Sequence, residues 1–168
     1  MSRDYPDWIH PEKAASARRD FSGRVPVERL ERLRGLVVEG EPGWVEFSLR
    51  FSHDEQGQIR IDVHVDAEVP LQCQRTLKTF QQALSSDSVV AVVGSEEEEA
   101  ALPEDYEARL CPDDRLEVLD LVAEEVLLAL PLVPVDPASE PMEAPAAEAE
   151  THRPFEALAA LKKRSRQK

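Results

Sequence analysis

The sequence predicts an α+β protein: an antiparallel sheet flanked by an N-terminal helix and by a core helix at about residues 117–130. Two patterns carry this prediction, an apolar alternation of period two over residues 45–73 and an apolar face of helical period over residues 116–130. Strands and helices that follow one another in separate runs are typical of α+β folds. Because the strand that ends near residue 73 is long enough to bend, the sheet is also compatible with a small, partly closed barrel.

The first 22 residues are expected to form an arm whose anchors on the body are Trp8 and Ile9. A helix is expected next, because Gly23 interrupts the chain and Pro26 is tolerated in a first helical turn. The apolar residues that share one face of this helix are Val27, Leu30, Leu33 and Val37. The arginines that fall off that face are Arg29, Arg32 and Arg34. For these arginines a solvated helix face is the favoured interpretation, and contact with RNA phosphates is the alternative.

Two alternating runs separated by turn residues predict a β-hairpin. The runs cover residues 45–51 and residues 59–73, so the second strand is unusually long. Pro70 lies within this second strand and requires a bend, a bulge or a sheet edge, because proline cannot donate a ladder hydrogen bond. A third strand is expected over residues 80–93.

The segment from residue 116 to residue 135 contains the predicted core helix. Its apolar residues at helical spacing are Leu119, Val122, Val126 and Ala129, and the acidic residues opposite them are Glu117, Asp120 and Glu124. The acidic stripe is expected to be solvated, whereas the apolar end at residues 127–130 suggests burial between two layers. Pro131 should stop the helix near Leu130. Acidic residues interrupt the run before it reaches the roughly 20 apolar residues that a membrane span needs, so no membrane contact is expected.

Charge is distributed unevenly along the 168 residues, whose net charge is -14. Residues 1–35 carry a net charge of +2, residues 36–150 carry -21 and residues 151–168 carry +5. An acidic body argues against a wide nucleic-acid groove, but it permits a local basic contact or a basic protein partner. The basic residues that close the C-terminal tail are Lys162, Lys163, Arg164, Arg166 and Lys168.

Composition divides the chain into an arm (1–22), an α+β domain (23–135), a linker (136–150) and a C-terminal segment (151–168). The linker consists mostly of Pro, Ala and Glu and is expected to be disordered. In the last part, Pro154 should start a short amphipathic helix that leads into the basic tail. The apolar residues on one face of this helix are Phe155, Leu158 and Leu161.

Motifs for catalysis or cofactor binding do not occur: the sequence has no Gly-rich phosphate loop, no GxSxG elbow and no HExxH motif. The four histidines lie far apart, and His64, between Asp62 and Asp66, is expected to be a surface residue. Two cysteines are too few for a disulfide scaffold, and the N-terminus lacks the apolar stretch of a signal peptide. We therefore expect a cytoplasmic, non-enzymatic protein without a cofactor.

The most specific local feature is Cys73-Gln74-Arg75-Thr76, directly after the long strand. A Cys-x-x-Cys pair at this position would indicate a metal or redox site, but Thr76 leaves a single thiolate, so no metal site is expected. Cys73 is expected to be a small buried residue. Arg75 and Lys78 are either a basic patch that contacts RNA or ordinary charges at the end of a strand.

Four segments in fixed order carry a family likeness. They are VPLQCQRTLKTF (69–80), ALPEDYE (101–107), LVAEEVLLALPLVPV (121–135) and RPFEALAALKK (153–163). Together they resemble the YceD family, the large ribosomal RNA subunit accumulation proteins. The residues that match its motifs are Cys73, Arg75, Leu130, Pro131, Pro134, Pro154 and Phe155. The family usually has Cys-x-x-Cys where this chain has Cys73 and Thr76. A metal site that relatives build with both cysteines is therefore not expected in this chain.

The resemblance implies a bacterial cytosolic protein needed for synthesis, processing or stability of 23S ribosomal RNA, with no established catalytic residues. Two hypotheses follow. In the first, the basic tail, with Arg75 and Lys78, contacts 23S RNA or a pre-ribosomal large subunit. In the second, the acidic body is an adaptor or chaperone that binds a basic ribosomal protein.

Overall fold

The computed structural model describes residues 5–103, 106–111 and 113–139. These residues form the mixed α+β fold that the sequence predicts. In chain order the elements are β1 (Trp8–Ile9), α1 (Pro11–Ser16), β2 (Asp20–Pro26), β3 (Trp44–His53), β4 (Ile59–Gln72), β5 (Thr79–Val93), α2 (Glu96–Ala100), β6 (Glu107–Leu110), β7 (Leu116–Glu117) and α3 (Val118–Ala129).

The main sheet has five strands in the order β2-β3-β4-β5-β6. All neighbours are antiparallel except β5 and β6, which run parallel. The predicted hairpin (β3 and β4) and the predicted third strand (β5) are therefore confirmed. Barrel closure is not found in the part of the chain that the structure describes, since β2 and β6 remain the two edges. The extra length of β4 pairs instead with the equally long β5, from Ile59 opposite Val92 to Gln72 opposite Thr79.

Pro70 stands at a sheet edge, which is one of the three situations that the sequence allowed. The ladder between β3 and β4 ends where Trp44 faces Glu68, so Pro70 lies beyond the end of β3. On that side its carbonyl accepts a hydrogen bond from the amide of Val38 at 2.9 Å. The missing proline amide therefore costs no hydrogen bond to β3.

The prediction of a helix after Pro26 is wrong. Residues 27–33 form two single 3₁₀ turns instead, Val27–Arg29 and Glu31–Leu33. Between them Leu30 has φ -91° and ψ 89°, which interrupts any continuous helix. The three buried apolar residues are spaced by three, which fits the three-residue period of a 3₁₀ turn as well as it fits an α-helix. They are Val27, Leu30 and Leu33. Their burial fixes the turns against the core without a longer helix.

The N-terminal region packs onto the body through Ile9, as the sequence predicts, whereas the second predicted anchor, Trp8, is 38 % exposed. Ile9 is buried, and β1 pairs antiparallel with β7 so that Trp8 faces Glu117. Tyr5 covers Gly23, where a Cβ atom would lie only 2.4 Å from the Tyr5 ring. Strand β2 contains residues 22 and 23, the junction expected between arm and body.

Helix α3 covers the inner face of the sheet and is confirmed as a core helix. Its buried apolar residues are Val118, Leu121, Val122, Ala123 and Val126. The helix stops as predicted, because Leu130 has an extended backbone directly before Pro131. The prediction that the C-terminal end of α3 is buried between two layers is wrong, since Leu128 is 66 % exposed. Within the described residues, none of the helices is both long and apolar enough to cross a bilayer.

Candidate functional site

Residues 73–78 form the turn between β4 and β5 and contain the most specific sequence motif. Two hydrogen bonds close this turn: the Cys73 amide donates to the Lys78 carbonyl at 2.9 Å, and the Leu77 amide donates to the Cys73 carbonyl at 2.8 Å. Leu77 has φ 59°, in the left-handed region that is uncommon for a leucine. The Leu77 side chain is 66 % exposed, so burial of this side chain does not offset the energetic cost of the left-handed backbone. The surrounding hydrogen bonds hold the turn in shape.

The turn binds the chain segment that follows α3. The Gln74 amide donates to the Pro134 carbonyl at 2.9 Å. The Arg75 guanidinium donates to the Ser139 hydroxyl from Nε at 3.0 Å, and from Nη2 to the Ser139 carbonyl and the Asp136 carbonyl. Arg75 is half-buried by these contacts. We call this arrangement of residues 73–78 and 134–139 the clasp; it fixes the place from which the chain continues at residue 140.

Cys73 lies at the centre of the clasp and is fully buried, as the sequence predicts. The Thr76 hydroxyl hydrogen-bonds the thiol and, with the amides of Asp136, Thr76 and Arg75, lowers the pKa of Cys73 to about 6. The Asp136 amide lies 3.4 Å from Sγ. A thiolate at this position is therefore stabilised by donors rather than by a cation in contact with it. Among the described residues no group of three or more His, Cys, Asp or Glu side chains is placed to hold a metal ion.

The other predicted site residues divide between exposed, packed and undescribed positions. Lys78 is exposed at the end of the turn. Leu130 packs against the core, Pro131 is exposed, and Pro134 is half-buried against the turn. The predicted residues that lie outside the described ranges are Pro154, Phe155, Lys162, Lys163, Arg164, Arg166 and Lys168. The structure thus brings Cys73, Arg75 and Pro134 together in the clasp.

Comparison with known proteins identifies the family. Residues 61–162 match the family described as "Large ribosomal RNA subunit accumulation protein YceD". The chain belongs to the YceD family. A protein of that name from Haemophilus influenzae (strain ATCC 51907 / DSM 11121 / KW20 / Rd) is 31% identical over 167 residues, covering 93% of this chain and 95% of the relative. No solved structure matches. The part of the YceD match within the described residues includes β4 from Ile61 onwards, the clasp and α3.

The acidic stripe on α3 of this YceD-family chain was expected to be solvated, but its three acids are paired with arginines. Glu117 pairs with Arg115 at 2.7 Å, and Asp120 and Glu124 pair with Arg109 and Arg32. Arg109 of β6 donates to Asp120 and Glu124, and its side chain is only 20 % exposed. Arg32 of the second 3₁₀ turn lies 3.2 Å from Glu124 and 3.6 Å from Asp120. The spacing of the two acids predicted a shared face, but it did not indicate a partner on β6. This network ties α3 to the sheet edge and leaves Arg32 little freedom to contact RNA.

Glu125 is a buried acid that the sequence analysis did not single out. Its side chain is 2 % exposed on the face of α3 that meets the sheet. Burial raises the pKa of Glu125, the nearby Ser88 hydroxyl partly offsets this effect, and the neighbouring Glu107 and Glu124 raise the pKa further. The carboxyl therefore favours its neutral form more than an exposed glutamate does.

The outer face of the sheet, which points away from α3, is acidic. Its carboxylates are Asp20, Glu46, Asp62, Asp66, Glu68 and Asp87, and its arginines are Arg24, Arg50 and Arg60. Part of this charge is paired on the face itself: Arg60 lies 2.5 Å from Asp62, and Arg50 lies 3.7 Å from Asp20. A shallow hollow of about 500 Å³ lies over β3, β4 and β5. This face repels polyanions and attracts polycations.

His64 lies on this outer face, as predicted, and its surroundings resemble a hydrolase triad at first sight. Ser48 faces it across the ladder, and Asp87 accepts from Nδ1 at 2.8 Å. However, Nε2 lies 3.1 Å from Asp66, so carboxylates face both ring nitrogens. Hydrogen bonds to Asp87 and then Asp66 raise the pKa of His64, which favours the protonated ring. Because Asp87 and Asp66 engage both ring nitrogens, neither nitrogen is directed at Ser48, and this group suits a brace between β4 and β5.

Proposed function

We propose that this chain is a non-enzymatic ribosome-biogenesis factor that acts in the synthesis, processing or stability of 23S ribosomal RNA of the large subunit. The observation that carries the proposal is membership of the YceD family, whose description names large ribosomal RNA subunit accumulation. The relative from Haemophilus influenzae bears the same name and matches along nearly its whole length. The partner in this proposal is 23S RNA or the pre-ribosomal large subunit, in the bacterial cytoplasm.

The proposed RNA contact runs through the C-terminal cations, with Lys78 as a second point on the body. Lys78 is exposed, whereas Arg75 already donates to Ser139, so Arg75 positions the turn from which Lys78 projects. On the body, Arg32 and Arg109 already face carboxylates, so these two arginines are not proposed as phosphate contacts. Five tail cations that neutralise phosphates of single-stranded RNA would give a slope of roughly -3.5 in log affinity against log salt.

The test compares association with precursor large subunits and with 23S RNA at low and moderate salt. In the tail variant, Lys162, Lys163, Arg164, Arg166 and Lys168 are all replaced by Gln. In the matched control, the outer-face residues Arg24, Arg50 and Arg60 are replaced by Gln. We expect the full chain and the control to cosediment with the particle at low salt, and the tail variant to bind at least ten-fold more weakly. Absence of association at low salt, or equal binding by the tail variant, contradicts the proposal.

A second candidate function is an acidic adaptor or chaperone for a basic ribosomal protein, and the outer face of the sheet favours it. That face presents twice as many carboxylates as arginines on four adjacent strands, which suits a Lys/Arg-rich partner. Replacing Glu46, Asp66 and Glu68 by Lys would then abolish capture of basic ribosomal proteins from RNase-treated extract, while the tail variant would retain it. Retention of capture by the triple-Lys variant, or loss of capture by the tail variant, contradicts an adaptor that binds through the outer face.

A further inference from the structure

An apolar groove of about 340 Å³ lies between the 3₁₀ turns, the following loop and β4. Its apolar lining consists of Val27, Leu30, Val37, Val38 and Pro70. Val27, Leu30 and Pro70 form a buried floor, and the two other valines form half-buried sides. The groove can therefore remove one apolar side chain, such as that of Leu or Phe, from water, and this burial favours occupation.

The rim of the groove is acidic. Exposed Glu28, Glu39 and Glu41 line it, against the single cation Arg34. An occupant with an apolar side chain beside several positive charges matches both the floor and the rim. This combination disfavours nucleic acid, because three carboxylates surround the opening.

The chain itself supplies such a segment, and it starts near the groove. Arg75 holds Ser139 at the β4–β5 turn, and Pro70 of the groove floor, near the end of β4, is only three residues before the first residue of that turn, Cys73. Three strand residues span about 10 Å. The roughly 14 residues from Ser139 to Arg153 reach about 45 Å when extended, and a flexible chain of that length has a mean end-to-end distance of about 20 Å. The C-terminal segment can therefore reach the groove without strain.

The composition of this segment complements the groove. Phe155 and Leu158 are spaced by three, and five cations follow within residues 162–168. The family match extends to residue 162, so it includes these apolar positions. We infer that residues 154–163 dock on their own body, with Phe155 in the groove and the basic tail beside the acidic rim. This inference does not depend on the proposed RNA function, since the docking needs no ligand.

The docking can be tested in the full chain by photo-crosslinking. Phe155 is replaced by p-benzoylphenylalanine, the purified protein is irradiated at low micromolar concentration, and the adducts are mapped by mass spectrometry. We expect most adducts within residues 27–41 or at Pro70, within one chain. The control carries the same photo-reactive residue at Ala144 in the linker and should give at least five-fold fewer groove adducts.

Charge reversal supplies an independent measurement. Glu39→Lys combined with Glu41→Lys should lower the yield of groove adducts several-fold, whereas Glu97→Lys with Glu99→Lys on the exposed helix α2 should leave it unchanged. Three results overturn the inference: no adducts, adducts mainly at another surface such as residues 128–135, or adducts mainly between chains in a mixture of isotope-labelled and unlabelled protein. Equal groove yields from Phe155 and Ala144 also overturn it.

Discussion

Replacing Arg109 with Met should destabilise the protein by about 1–2 kcal/mol. A hydrogen bond to a charged group contributes roughly 1.5–3 kcal/mol, and Arg109 donates to both Asp120 and Glu124. The expected loss is smaller than that sum, because the two acids are 40% and 37% exposed and Arg32 still faces both of them. For a chain of this size the melting temperature should fall by about 5 °C. Urea unfolding followed by circular dichroism measures the free energy directly.

The matched control is Arg50→Met, which removes a surface pair from the same sheet. Arg50 lies 3.7 Å from Asp20, and their side chains are 73% and 70% exposed. Such pairs contribute at most about 1 kcal/mol and commonly much less. If Arg109→Met costs no more than Arg50→Met, the network does not tie α3 to β6. A double-mutant cycle with Glu124→Gln should also show a coupling energy of at least about 0.5 kcal/mol.

Three further predictions concern buried or paired groups. Because burial raises the pKa of Glu125, the contribution of Glu125 to wild-type stability should fall as pH rises from about 4 through the folded-state pKa. Relative to wild type, Glu125→Gln should therefore raise the melting temperature at pH 8 but not at pH 4. Because Asp87 and Asp66 raise the pKa of His64, the stabilisation that His64 provides between β4 and β5 is fully present below about pH 6.5 and is lost as pH rises through the folded-state pKa. His64→Gln should therefore lower the free energy of unfolding by up to about 1 kcal/mol at pH 6 and by almost nothing at pH 9, as measured by urea titration. Gly23→Ala should cost about 1–3 kcal/mol by overpacking against Tyr5, and the additional Tyr5→Ala change should remove most of the clash in thermal denaturation.

The strands and the end of α3 could be predicted because their signals are local. The alternation over residues 45–51 and 59–73 matches β3 and β4, since each apolar residue must face the same core. Pro131 stops α3 through its own covalent geometry, whatever it packs against. Such features depend on neighbouring residues, so the sequence determines them without knowledge of the fold.

The contacts that build the site could not be predicted, because their partners lie far apart in sequence. Arg75 meets Ser139, 64 residues away, inside what composition indicated to be a disordered linker that starts at residue 136. Arg109 meets α3 only after β6 has paired in parallel with β5. The apolar spacing of three in residues 27–33 fits both an α-helix and 3₁₀ turns, and tertiary packing decides between them.

The pairing of β1 with β7 has a consequence for the order in which a nascent chain can fold. Trp8 is among the first residues made, yet its ladder partner is Glu117. At roughly 5–20 residues per second, the partner strand is synthesised many seconds later. The hairpin of β4 and β5 can meanwhile form from neighbouring segments, since its ladder joins residues 59–72 to residues 79–92. The first described strand to be translated must therefore wait for the last one, and its pairing requires that the chain as far as β7 has left the ribosome.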